Sequence, residues 1–223
     1  MKHIKDIKNK IEWEKYYNPN FNWNNISFYS ENKLSEDFIE EFQNYVNWSC
    51  ISWTQKLSED FIREFQNQLD WWELSAKSYL SENFIRKFKD KVNWYRICRY
   101  QKLSEDFIRE FQNEVDWETI CCYQQLSEDF IREFQDKVSW PSVSAYNKLS
   151  EDFIREFQDK VHWINISSCQ KLSEDFIREF QDKVDWSAIS YRQKLSGKFV
   201  REFQDKIDWS SISIGPNGRF YFS

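Results

Sequence analysis

The chain has 223 residues, a formal net charge of −6 and a sequence pI of about 5.2, with acids and bases interspersed, so no basic stripe faces a phosphate backbone and nucleic-acid binding is disfavoured. Aromatics make up 19% of the residues and glycine occurs three times, a composition of packed helices with tight connections rather than disorder. No run approaches the roughly 18 apolar residues of a membrane span, and the opening MKHIKDIKNK lacks the apolar core of a signal peptide; the expectation is a soluble, intracellular, non-secreted protein.

Residues 4–13, IKDIKNKIEW, match IREFQDKVDW at 177–186 without a gap, which places Ile4, Ile7, Ile11 and Trp13 on core positions. Residues 1–22 therefore read as a degenerate N-terminal capping repeat, closed by an irregular turn over Glu14 to Asn22 that contains Pro19. Tandem repeats follow over 23–209. The first, from Trp23, carries two extra residues within Phe28 to Lys33, and from Trp48 a tryptophan recurs every 23 residues up to Trp209. The pattern predicts a single elongated array in which each repeat buries apolar residues against its neighbours.

Numbering each repeat from its tryptophan as position 1, leucine occupies position 10 and serine position 11 from Leu34-Ser35 to Leu195-Ser196. In the copy LSEDFIREFQDKVDW at 172–186, Ser173 is a helix N-cap and Glu174 and Asp175 place negative charge at the positive end of the helix dipole. Phe176, Ile177, Phe180 and Val184 fall on one helical face, and Arg178 with Asp182 and Glu179 with Lys183 are spaced as ion pairs four apart. The first half of the repeat also starts on a cap. Asn22, Asn47, Asp70, Asn93, Asp116, Ser139, Asp185 and Asp208 suit that role and His162 does not. After the cap, Trp186, Ile189, Ser190 and Gln193 share a face, small residues at position 5 permitting close helix approach.

The expected fold is all-α: a solenoid of two-helix repeats, a short helix over positions 1 to 8 and a longer one from 11 to about 22. The alternative is an α/β leucine-rich-repeat-like solenoid with one short strand per repeat, since stretches such as Thr119 to Tyr123 are rich in β-formers. Position 6 lacks the alternation a strand would need. In the last full repeat Gly197 and Lys198 replace Glu-Asp, and residues 210–223 form a cap or tail. There Gly215-Pro216-Asn217-Gly218 signals a turn before an extended Arg219 to Phe222.

Catalytic constellations are lacking. His3 and His162 are the two histidines, no CxxC joins histidines at zinc spacing, and Gly197, Gly215 and Gly218 build no phosphate loop. Five cysteines at irregular spacing fit reduced thiols. Cys98 and Cys121 share position 5 in adjacent repeats, at the roughly 9–10 Å of packed helices rather than the roughly 7 Å a disulfide allows, and read as small core fillers. The carboxylates recur identically in each repeat, as on a solvated face. The chain is expected to be no enzyme and to need no cofactor or metal.

Positions 11 to 22 barely change between repeats, whereas positions 2, 3, 6 and 7 change in almost every copy. On the short helix these would form one outer face. It carries Trp53, Trp72, Tyr95, Arg96, Arg99, Tyr100, Tyr123, Tyr146, Tyr191 and Arg192, a hot-spot composition, with Tyr100, Tyr123 and Tyr146 sharing position 7. Drift on an unconstrained surface is the alternative; it explains the Ser and Ala there well and the exposed aromatics less well. Because identical stacking would set Arg155 near Arg178 and Glu156 near Glu179, the repeats are expected to stagger so that arginine of one meets an acid of the next.

The tandem WxxIS and QKLSEDFIREFQDKVDW motif, covering about residues 4 to 213, resembles repeat proteins encoded by large nucleocytoplasmic DNA viruses of amoebae and related protists. That resemblance implies a repeat architecture, a host-facing interaction role and a place in the host cytoplasm, and transfers no catalytic residue. The expected function is a scaffold binding a protein partner, host-derived if the chain is viral, through the variable face. The alternatives are a self-associating, virion-associated structural protein and, more weakly, single-stranded nucleic-acid binding on the tyrosines.

Overall fold

The computed structural model describes residues 34–77 and 79–214, which form sixteen α-helices and, among the described residues, no strand. The chain divides into two compact units, Met1–Gln101 and Lys102–Ser223. In each, two kinds of helix alternate. One opens on the repeat tryptophan: Trp48–Thr54, Trp71–Ser75 and Trp94–Tyr100, then Trp117–Tyr123, Trp140–Tyr146, Trp163–Cys169, Trp186–Arg192 and Trp209–Ile214. The other follows the repeat serine: Glu36–Glu41, Glu59–Glu64 and Glu82–Lys87, then Glu105–Glu110, Glu128–Glu133, Glu151–Glu156, Glu174–Glu179 and Gly197–Glu202. We call these the Trp helices and the Phe helices. The capping repeat expected over 1–22, the insertion in Phe28 to Lys33 and the tail from Gly215 lie outside the described residues.

The serine caps behave as the sequence predicts. Each accepts the amide of the position-14 phenylalanine at 3.1–3.2 Å, satisfying one donor of the first turn. A second capping bond comes from the preceding repeat: Glu151 accepts both the backbone amide of Ser173, at 2.6 Å, and its hydroxyl, at 3.0 Å. Glu174 does the same for Ser196. The position-12 glutamate is thus a connector as well as a partner for its own helix dipole.

The two-helix repeat stands, but the second helix is not the longer one. It spans six residues, to position 17, and gives way to a turn in which Phe180 (φ −109°, ψ 28°) offers its carbonyl to both Lys183 and Val184. The next i→i−4 bonds are diverted. The Gln181 carbonyl accepts the Trp186 indole N–H at 2.9 Å, and the Asp185 amide donates to Ser167 Oγ at 2.9 Å. With position 19 and the cap both engaged elsewhere, the α-helical ladder cannot continue. The turn also undoes the expected four-apart ion pairs: Arg178 bonds Asp175 and Glu202, Asp182 pairs with Lys206, and Lys183 with Asp159.

Isoleucine or its aliphatic substitute at position 4 is sealed from solvent in each repeat from Ile51 to Ile189, as is the position-14 phenylalanine from Phe107 to Phe199. Of the tryptophans that set the period, those from Trp48 to Trp186 are half-buried and Trp209 is exposed. Trp163 lies along the rim, 5.0 Å from the Phe180 ring and 6.3 Å from that of Phe176, and its indole N–H is satisfied by the Gln158 carbonyl. Among the described residues all five cysteines are free thiols, and Cys98 and Cys121 are fully buried.

Repeats are joined by buried polar side chains. Gln193 accepts the Leu172 amide at 3.1 Å and donates to the carbonyls of Ser167 and Gln170 at 2.9 and 2.7 Å. Gln170 makes the same three bonds one repeat earlier. Position-5 serine adds a relay: Ser167 donates to the Trp163 carbonyl and accepts the next cap amide, that of Asp185. Within each unit these bonds lock a Trp helix onto its predecessor, so the Trp helices of that unit present the same side outward.

Candidate binding face

With positions 4, 5 and 8 turned inward, positions 2, 6 and 7 of a Trp helix are left to face solvent. Ten large hydrophobic side chains are exposed among the described residues, and eight of them, Trp53, Trp72, Tyr95, Tyr100, Tyr123, Tyr146, Ile164 and Tyr191, occupy those three positions. Trp53 and Tyr146, at 53% and 58% exposure, expose more than half their surface. Position 3 departs from the expectation. It points sideways between Trp helices, where Thr119 and Ser142 are buried and Arg96 and Asn165 are half-buried.

In the first unit, arginines clamp this surface. The Arg96 guanidinium lies 4.5 Å from the Trp72 ring and 5.9 Å from that of Tyr100, and donates to the Trp72 carbonyl at 3.0 Å and to Glu73 at 3.2 Å. Arg99 donates to the Tyr95 hydroxyl at 3.0 Å and sits 5.4 Å from the Tyr100 ring. Lys77 donates to the Trp53 carbonyl, and burial holds its ammonium below the ordinary lysine value. Cation–π and hydrogen-bond contacts therefore restrain Trp72, Tyr95 and Tyr100.

In the second unit the same positions carry Tyr123, Tyr146, Ile164 and Tyr191, with Arg192 4.9 Å from the Tyr191 ring and itself exposed. Position 3 again ties one Trp helix to the one before: Ser142 donates to Glu118 at 2.6 Å and Asn165 to the Pro141 carbonyl at 2.8 Å. Of the ten residues singled out from the sequence, eight are exposed, while Arg96 and Arg99 are half-buried supports.

The Phe-helix side is chemically different. Arginine at position 16 bonds the position-17 glutamate of the following repeat, Arg109 to Glu133, Arg132 to Glu156 and Arg155 to Glu179, at 2.8–2.9 Å. Each also meets its own position-13 aspartate at 2.8 Å. The expected meeting of arginine with the next repeat's acid is present, and the Glu133 hydrogen bond holds Arg109 above its ordinary value. Sequence inspection missed that the buried glutamines carry the joints between repeats; their signal was an amide side chain recurring on an otherwise apolar face.

Among the described residues no group of three or more His, Cys, Asp or Glu side chains is placed to hold a metal ion, and no helix is long and apolar enough to cross a membrane. Comparison with protein-family models, curated proteins and solved structures finds no match.

Proposed function

We propose that the chain is a non-enzymatic repeat scaffold that binds a protein partner through the outward positions of its Trp helices. The carrying observation is the concentration of eight of ten exposed large hydrophobic side chains at positions 2, 6 and 7. Exposed Trp and Tyr beside Arg are the side chains that dominate protein interfaces. Clamped by Arg96 and Arg99, they lose little further freedom on binding, which favours affinity. The charges of the Phe-helix side are spent on one another and offer a partner less. On its motif alone we place the chain with host-facing repeat proteins of large DNA viruses.

Affinity capture from host lysate, with the native chain and with a variant carrying alanine at Trp53, Trp72, Tyr95, Tyr100, Tyr123 and Tyr146, tests this reading. Circular dichroism checks that both are equally helical. A partner held by the native chain and lost by the folded variant supports it; identical captures overturn it. A mass that grows with concentration in the native chain alone identifies a second copy as the partner of the same face.

A further inference from the structure

In the second unit the charges of the Trp helices are sorted by end. The acids stand at the N-terminal end and are engaged: Asp116 and Asp185 accept cap amides, Asp208 accepts from Ser187, and Glu118 accepts from Ser142. The C-terminal end carries no acid. Positions 6 to 9, residues 122–125, 145–148, 168–171 and 191–194, hold Lys148, Lys171, Arg192 and Lys194, a formal charge of +4 in a chain of −6. All four are exposed, and none makes an ion pair among the described residues, whereas Lys160, Lys183 and Lys206 of the Phe-helix side each reach an aspartate at 3.3 Å. The fold does not need a cation at position 9, since Gln125 stands there after Trp117–Tyr123.

Gln125 also shows where a position-9 side chain lies. The position-8 amide is buried, and Gln125 Nε2 donates to the carbonyl of Tyr146, position 7 of the next repeat, at 3.2 Å. The same placement sets Lys171 beside Arg192, with Lys194 two residues on. The acids nearest in sequence are already held, Glu174 by Ser196 and Asp175 by Arg178. Like charges side by side repel one another, and an anionic partner relieves that repulsion. These cations recur once per Trp helix, a step of about 8–10 Å for packed helices. One turn of polyproline II, three residues rising about 3.1 Å each, advances by about 9 Å. We propose that this edge binds an acidic segment of the protein partner in polyproline II form, with a carboxylate on every third residue. The proposal rests on the reading that the Trp helices face a protein. The exposed Tyr191 ring, beside Arg192, offers a surface on which prolines pack.

The test is fluorescence anisotropy, at fixed ionic strength, of the full chain with three labelled probes of equal charge: a repeating Glu-Pro-Pro peptide, a repeating Glu-Pro-Pro-Pro peptide and an oligothymidylate. Lys171→Gln with Lys194→Gln removes two cations of the edge. Lys87→Gln with Lys89→Gln makes the same change of charge at exposed lysines of the first unit. Saturable binding of the Glu-Pro-Pro peptide, weakened about fivefold by the edge variant and little by the other, supports the proposal. No saturable binding, equal weakening by the two variants, or equal binding of the respaced peptide overturns it. Oligothymidylate bound as tightly as the peptide also overturns it, assigning the edge to nucleic acid. The six-alanine variant keeps these cations and so separates the two readings. An unchanged capture in that variant, with peptide binding lost only in the edge variant, sinks the aromatic reading alone; a lost capture with no peptide binding by the native chain sinks this one alone.

Discussion

A buried amide side chain does in this protein what a strand edge does in a sheet: it passes backbone hydrogen bonds from one repeat to the next. Gln170 is 7% exposed and makes three such bonds, to Leu149, Ser144 and Asn147. Gln170→Leu keeps the volume and strands one amide and two carbonyls, an expected loss of about 3 kcal/mol in urea unfolding. The chain holds its own controls. Asn147, one methylene shorter, still bonds Leu126 and Cys121, and in the repeat opening at Trp71 the Tyr79 hydroxyl accepts the Leu57 amide at 3.1 Å. Gln170→Asn should therefore lose less than Gln170→Leu; an equal loss would show that packing rather than the amide matters. The thiols give a second residue-scale prediction. Burial pushes Cys121 up to about 12, so the thiol stays protonated when folded and ionises nearer its ordinary value when unfolded. Its contribution to stability is complete below that ordinary value and is lost as pH rises from there toward about 12. Alkylation at neutral pH followed by mass spectrometry should label exposed Cys169 rapidly and leave Cys98 and Cys121 unlabelled until the chain unfolds.

Helices of five to seven residues are too short to stand alone, so their ends decide whether they form. Two Trp helices start without a side-chain cap bond, those after Ser139 and His162. His162 makes no side-chain cap bond, whereas Asp116 and Asp185 accept the amides of Thr119 and Ala188 at 2.8 and 2.7 Å. His162→Asp should raise stability by about 1 kcal/mol, and an unchanged urea midpoint would count against the cap as the limiting element. Ser139 is a good cap by residue type and yet makes no cap bond: its hydroxyl turns to Ser142 Oγ, in a helix with Pro141 in its first turn. Most of the element pattern was legible because caps and apolar spacing are local. Ser173 followed by Glu174, Asp175 and Phe176 announces a helix start without reference to anything distant. The stop at position 17 was not legible, since it depends on Trp186 reaching back to Gln181 and on Ser167, in the Trp helix before it, taking the Asp185 amide. On the proposed binding face the same division holds. Outward positions 2, 6 and 7 followed from helical spacing, whereas the sideways turn of position 3 depends on the neighbouring Trp helix.

At the scale of the whole chain the bonds between repeats have a common length in sequence. Those of the glutamines, serines, arginines and lysines join residues 18 to 26 apart, one repeat to the next, in both units. Stability is then a sum of repeat terms and nearest-neighbour terms, and the chain should tolerate loss of a whole repeat better than loss of a smaller piece. Deleting 140–162 joins Ser139 to Trp163 and leaves each connection with a partner of the same kind: Gln170 faces the Leu126 amide, Glu128 faces Ser173 and Arg132 faces Glu179. Such a variant should keep its helical signal per residue, unfold with a urea slope lower by roughly a tenth, and lose about 1–3 kcal/mol. Deleting 140–151 removes fewer residues but sets a Phe-helix segment against the cap of a Trp helix, so the glutamine and serine bonds of that joint have no acceptors in register. It should lose cooperative unfolding in the second unit. If the shorter deletion proved the milder, local helix content rather than the register between repeats would be what holds this chain together.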